Sequence, residues 1–139
     1  MKIHSISQKN LSNAAYLLLK GGIVAFPTET VYGLGALASD DKAVNRVYKI
    51  KKRPKSNPLI VHIHSIEIVR SIVKIVPDYA NKLIEKFWPG PLTLILPYKN
   101  NGYVCKQARA NLNSIAIRMP DNPTAVSYTH LTLPTTPYV

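Results

Sequence analysis

The stretch KIKKRPKSNPLIVHIH, residues 49–64, decides how the chain is read. It opens as the last turn of an apolar-periodic segment. It then passes five cations in seven positions, Lys49, Lys51, Lys52, Arg53 and Lys55, and leaves between two prolines into an apolar run. A run of like charge is usually a solvated face or a tail. This one is wedged between a helix-like and a strand-like segment, where a tail cannot be. Cations in a last helical turn suit the negative end of the helix dipole. Lys51 and Arg53 alternate, so an extended backbone would send both to one side. Pro54 stops the helix and restricts Arg53. A planar guanidinium beside a point-like ammonium suits a polyphosphate, and Asn57 adds a directed amide just before Pro58.

Outward from this stretch, helical and strand-like segments alternate. NLSNAAYLLLKGG (10–22) reads as a helix with Asn10 as cap, Leu11, Ala14, Ala15, Leu18 and Leu19 at helical spacing, and two glycines at its end. IVAF (23–26) is a buried strand, and MKIHSI (1–6) a short one. Asp40 caps a helix whose apolar face is Ala43, Val44, Val47 and Ile50. After the strand PLIVHIH (58–64), Ser65 caps a helix through Ile66, Val69, Ile72 and Val73, and Pro77 opens another running to Phe87 and Trp88. PGP then turns the chain into the strand LTLILP (92–97); residues 100–113 form a loop, and SIAIRMP (114–120) is a further strand. The pattern predicts one α/β (α+β) sheet domain without internal repeats.

Composition narrows the function. The 139 residues carry 18 Lys and Arg against 7 acids, a formal charge of +11, which favours anionic partners. Glu67, Asp78 and Glu85 fall on helix surfaces, and Asp40 and Asp41 at a helix start. Only Glu29 remains in a site-like loop, which argues against a two-carboxylate hydrolase. Cys105 is alone, so neither a disulfide framework nor a cysteine zinc site is expected; it reads as a small apolar filler. Without a signal-like segment or an apolar run near the roughly twenty residues of a membrane helix, a cytoplasmic location and no membrane partner are expected.

FPTETVYGLG (26–35) leaves a strand through Pro27 and returns through Gly33 and Gly35. Thr28 and Thr30 offer hydroxyls and Tyr32 a ring with a polar tip, a set that suits a small polar ligand or phosphate; a tight turn around a buried Tyr32 is the alternative. His62 and His64 share one strand face, but no third metal ligand is evident, so no metal site is assigned.

Four motifs now stand in order: FPTETVYGLG, KKRPKSNPLIVHIH, FWPGPLTLIL and SIAIRMP. Together, from about Gly21 to Pro120, they resemble the YrdC-like domain family of threonylcarbamoyl-AMP synthases. The resemblance implies a twisted mixed sheet with flanking helices. It implies a nucleotidyltransferase that joins L-threonine, bicarbonate and ATP, with Mg²⁺ carried by ATP, into threonylcarbamoyl-AMP and pyrophosphate for tRNA modification. Lys51 and Arg53 would be catalytic and, with Asn57, hold ATP phosphates, and Ser114 would lie against the nucleotide. Thr30, His62 and Arg118 would contact threonine, with Thr28 and Tyr32 nearby. Partners would be tRNA and the proteins of the threonylcarbamoyl transfer complex. Two other readings compete: a non-catalytic double-stranded RNA or tRNA-binding module, and the related domain of a hydrogenase-maturation carbamoyltransferase.

One departure stands against the matches. The family pattern continues into an S-x-N block after A-x-R-x-P, and none follows Arg118 here. DNP (121–123) reads as a helix start, yet residues 126–139 carry no charge, and VSYTHLTLPTT (126–136) resembles a reading frame of a sequencing-library adapter. The expectation is a YrdC-like domain over 1–125, incomplete, followed by a non-native tail over 126–139. A chain lacking half its phosphate cradle is expected to have little or no turnover.

Overall fold

A computed structural model describes residues 4–27 and 32–122. The helices are α1 (Gln8–Leu19), α2 (Asp41–Lys51), α3 (Ile66–Ile72) and α4 (Asp78–Phe87); the strands are β1 (Val24–Phe26), β2 (Gly33–Gly35), β3 (Ile60–His62), β4 (Leu94–Pro97) and β5 (Ser114–Arg118). β1 and β2 pair antiparallel as a separate ribbon. The other three strands form a mixed sheet in the order β3-β5-β4, with β3 parallel and β4 antiparallel to β5.

Side-chain alternation gives this sheet two unlike faces. Val61, Leu94, Leu96, Ile115 and Ile117 are buried and form one core with Val44 and Val47 of α2, Val69 and Ile72 of α3, and Ala80 and Ile84 of α4. The opposite face carries Ile60, His62, Ser114, Ala116 and Arg118, all partly accessible, and Ile95, which is 70% exposed. Among the described residues, helices thus cover one side of this sheet only. α1 packs on β1 and buries Leu11, Ala15 and Leu18.

Local chemistry explains the boundaries. Asp40 accepts bonds from the amides of Lys42 and Ala43, capping α2 as its sequence predicts. Gly21, at φ +77°, ends α1 in a conformation that side-chain-bearing residues avoid. The cap of α1 is Ser7, whose hydroxyl accepts from the Asn10 amide; Asn10, expected as cap, already lies within the helix. Among His4–Ile6 there is no strand. On α2 the buried side chain in the last turns is Tyr48, while Ile50 is 59% exposed, because the helix presents its 44–47–48 face to the core. The expected helix start at Asn122–Pro123 and the tail over 126–139 fall outside the described residues beyond Asn122.

Trp88 is buried, and its indole Nε1 donates to the Leu92 carbonyl at 2.8 Å, so the ring spans the PGP turn. A Cβ at Gly90 would lie 2.5 Å from the Phe87 carbonyl oxygen, which excludes any larger residue there. The Gly90 amide donates to the Met119 carbonyl at 2.8 Å, fastening the turn to the end of β5.

Two outcomes test this packing. Ile117→Ala removes most of a fully buried side chain beneath the central strand and is expected to cost about 2–5 kcal/mol. A urea midpoint unchanged from the parent would contradict the burial. Burial also pushes the Cys105 thiol up to about 11 from its ordinary 9.0. The folded state holds this proton more tightly, so the associated stability is present below the unfolded value and is lost as pH rises through the folded one. Folded protein should therefore resist alkylation near about pH 8 and react once denatured; fast labelling of the native chain would count against the site as described.

Candidate functional site

Three of the expected site residues, His62, Ser114 and Arg118, lie on the open face of the sheet. In the parallel register His62 pairs with Arg118 and Ile60 with Ala116. His62 and Arg118 therefore stand side by side on that face. The Phe26 ring from β1 meets the His62 imidazole edge-on, with centroids 6.3 Å apart and an interplanar angle of 69°. The β1–β2 ribbon thus lies beside the His62 end of the sheet.

Arg118 is held from below. Its Nε donates to the Thr93 hydroxyl at 3.1 Å. Thr93 immediately follows the turn that Trp88 spans and Gly90 ties to Met119. The WPGPLT stretch is therefore a clamp on the last residues of β5, and its product is a guanidinium of fixed direction. Thr93 was not among the expected site residues. Its position at the turn exit, before the strand parity begins at Leu94, hid its direction from the sequence.

The cation turn is built differently from its expectation. Lys51 is the last residue of α2 and is exposed; Lys52, at φ 51°, is its left-handed C-cap. The segment is helical and then sharply turned, so Lys51 and Arg53 do not alternate along an extended chain. Arg53 folds back over its own turn. Its Nε donates to the Asn57 carbonyl at 3.1 Å, and its Nη2 to Asn57 Oδ1 and the Pro58 carbonyl, both at 2.8 Å. Arg53 and Asn57 act as one unit. The fork is pre-oriented, and Nη1 is the edge these bonds leave for a ligand.

Tyr48 ties that unit to the rest of the fold. Its hydroxyl lies at 2.9 Å from the Asn57 carbonyl and 3.1 Å from the Gln107 carbonyl. Burial raises its pKa above the ordinary phenol value, partly offset by the Arg53 charge. It is 2% exposed, so the aromatic in the basic stretch is not a stacking platform.

β3 and β5 run parallel, so the Arg53–Asn57 turn just before β3 and Ser114, the first residue of β5, lie toward the same end of the sheet. The Arg53–Asn57 turn and Ser114 thus mark one end of the open face, and His62 with Arg118 marks the other. Four residue steps along β5 separate Ser114 from Arg118, roughly 13 Å. Tyr32 is 75% exposed, which removes the reading of its loop as a turn around a buried ring. Thr28 and Thr30 lie outside the described residues. Among the described residues, no group of three or more His, Cys, Asp or Glu side chains is placed to hold a metal ion. No described helix is long and apolar enough to cross a membrane.

Thr93→Val removes the acceptor of Arg118 Nε, at a cost to stability of about 1 kcal/mol. The Arg118 Nε proton should then exchange with solvent faster in NMR spectra while the core resonances stay in place. Unaltered exchange would show that Thr93 does not orient the guanidinium.

The Sua5/YciO/YrdC family model, described as "Telomere recombination", matches residues 16–134. A threonylcarbamoyl-AMP synthase of Bacillus subtilis is 46% identical over 123 residues, covering 88% of this chain and 35% of that protein. Its counterpart in Pyrococcus abyssi is 44% identical over 126 residues, covering 91% of this chain and 36% of its own length. The crystal structure of P. abyssi Sua5 complexed with L-threonine superposes with a TM-score of 0.87 at 41% identity, over 97% of this chain and 38% of that one. The chain therefore spans little more than a third of the length of these relatives.

Proposed function

The chain belongs to the Sua5/YciO/YrdC family, and on that premise we propose that its open sheet face binds L-threonine and ATP for formation of threonylcarbamoyl-AMP. The observation that carries the reading is the pairing of His62 with Arg118 on that face, with Arg118 held by Thr93. Arg118 has the chemistry to receive a carboxylate, and His62 that to receive a hydroxyl or amine. Both are properties of an amino acid. Thr30, with Thr28 and Tyr32 near it in sequence, would supply the hydroxyls expected around the threonine side chain.

The opposite end has the chemistry of a phosphate site. Arg53 presents a fork fixed by Asn57, Lys51 projects from the helix end next to it, and Ser114 adds a hydroxyl. In the reaction, the threonine amine adds to carbon dioxide drawn from bicarbonate, forming a carbamate. A carbamate oxygen attacks the α-phosphorus of ATP, and the bond to the bridging oxygen breaks to release pyrophosphate. Negative charge grows on that leaving group, and Lys51 and Arg53 would stabilise it together with Mg²⁺ entering on the nucleotide. The adenylate then serves tRNA modification through partner proteins.

The alternative of an RNA-binding module without catalysis has less support, since the basic stretch offers no exposed ring for base stacking. Calorimetric titration of the chain with L-threonine separates the two readings. Binding should be measurable, and Arg118→Ala should weaken it about 10- to 100-fold, the worth of a charged hydrogen bond. Equal affinity in the parent and variant, or no threonine binding at all, would remove the assignment.

A further inference from the structure

The cations of residues 49–55 do not all serve the open sheet face. A separate pocket of about 420 Å³ opens on the other flank of the α2 terminus, lined by Asn45, Tyr48, Lys49, Lys52, Arg53 and Lys55. Lys51 is not among its walls. The split follows from backbone geometry. Asn45 and Lys49 are four residues apart on one helix, so they share a face, and Lys51 points away from it. The left-handed turn at Lys52 then reverses the chain, and Lys52 and Lys55 close the same rim.

Four cations around one concavity repel one another, and among the described residues no acidic side chain lines it. Such an arrangement is stabilised by an anion. The volume is that of a small-ligand site.

We propose that Lys49, Lys52 and Lys55 form a second anion site that takes phosphate groups, distinct from the threonine and ATP positions on the sheet face. Two sources share this chemistry: the backbone of an RNA strand and a free phosphate such as pyrophosphate. The site does not depend on the catalytic reading above, since it stands on the pocket and its charge alone. Arg53 forms a common wall, which sets the two anion positions next to each other across one side chain.

The test replaces the three lysines together, Lys49→Gln, Lys52→Gln and Lys55→Gln, in the full chain. All three are exposed, so the fold should persist. A control carries Lys74→Gln, Lys82→Gln and Lys86→Gln, also exposed and equal in charge change. Affinity for a short oligouridylate and for inorganic pyrophosphate is measured across a salt series. In the site variant, binding of at least one probe should fall about tenfold or more, and the salt slope for RNA should drop by about one for each lysine that meets a phosphate. The control should stay near the parent. Loss with RNA alone identifies the strand as the source, and loss with pyrophosphate alone identifies the free anion. Equal weakening in both variants, or in neither, overturns the proposal. Threonine affinity, followed in parallel, should be unchanged in the site variant; its loss there would mean that the lysines act on the sheet face instead.

Discussion

Parallel pairing of β3 with β5 is the constraint on which both the core and the candidate site depend. The two strands lie far apart in sequence, yet their register fixes His62 beside Arg118 on one face and Val61 beside Ile117 on the other. A slip of one residue would move every one of these side chains to the opposite face. The hydrophobic half of the pattern therefore guards the polar half. Burial of Val61, Ile115 and Ile117 against α2, α3 and α4 is what keeps the histidine and arginine on the open side.

Around that ladder, the polar groups are held by turns more than by helices. The indole of Trp88, the amide of Gly90 and the hydroxyl of Thr93 act in succession on the end of β5. The guanidinium of Arg53 does comparable work at the start of β3, where it bonds the carbonyls of Asn57 and Pro58. The Leu59 amide continues this by donating to the Ala108 carbonyl at 2.9 Å. Rigid turns at both ends of one strand pair give pre-organised cations without burying them. An Arg whose fork is already directed loses less rotamer freedom on meeting an anion than a free one does.

The sequence was most legible where periodicity and caps agree. Asp40, Pro77 and the glycine pair mark real helix boundaries, and the alternating SIAIR segment is the central strand. The motifs also carry the family. What stayed hidden shares one physical feature: it depends on direction rather than on residue type. Ile50 fits the apolar period of α2 as well as Tyr48 does, and only packing decides which is buried. The alternation of Lys51 and Arg53 presumes an extended backbone, whereas Lys51 is still helical and Lys52 turns left-handed. Thr93 is an ordinary strand-entry residue until the turn before it is anchored to Met119. Cap preference failed at α1 for a similar reason, since Ser7 and Asn10 are both good caps and only the path of residues 4–7 selects between them.

The cation cluster that dominates the sequence is thus two features superimposed. Helical spacing, the left-handed residue at Lys52 and the back-folded Arg53 sort the charges by direction: Lys51 on one side, Lys49, Lys52 and Lys55 around the pocket, and Arg53 between them. Tyr48 is the pivot, because its buried hydroxyl anchors the turn from which the later cations project. A charge count treats the cluster as one attractive field. The backbone divides it into separately directed positions, which is why a linear run of lysines is a poor guide to a site until the end of its helix is known.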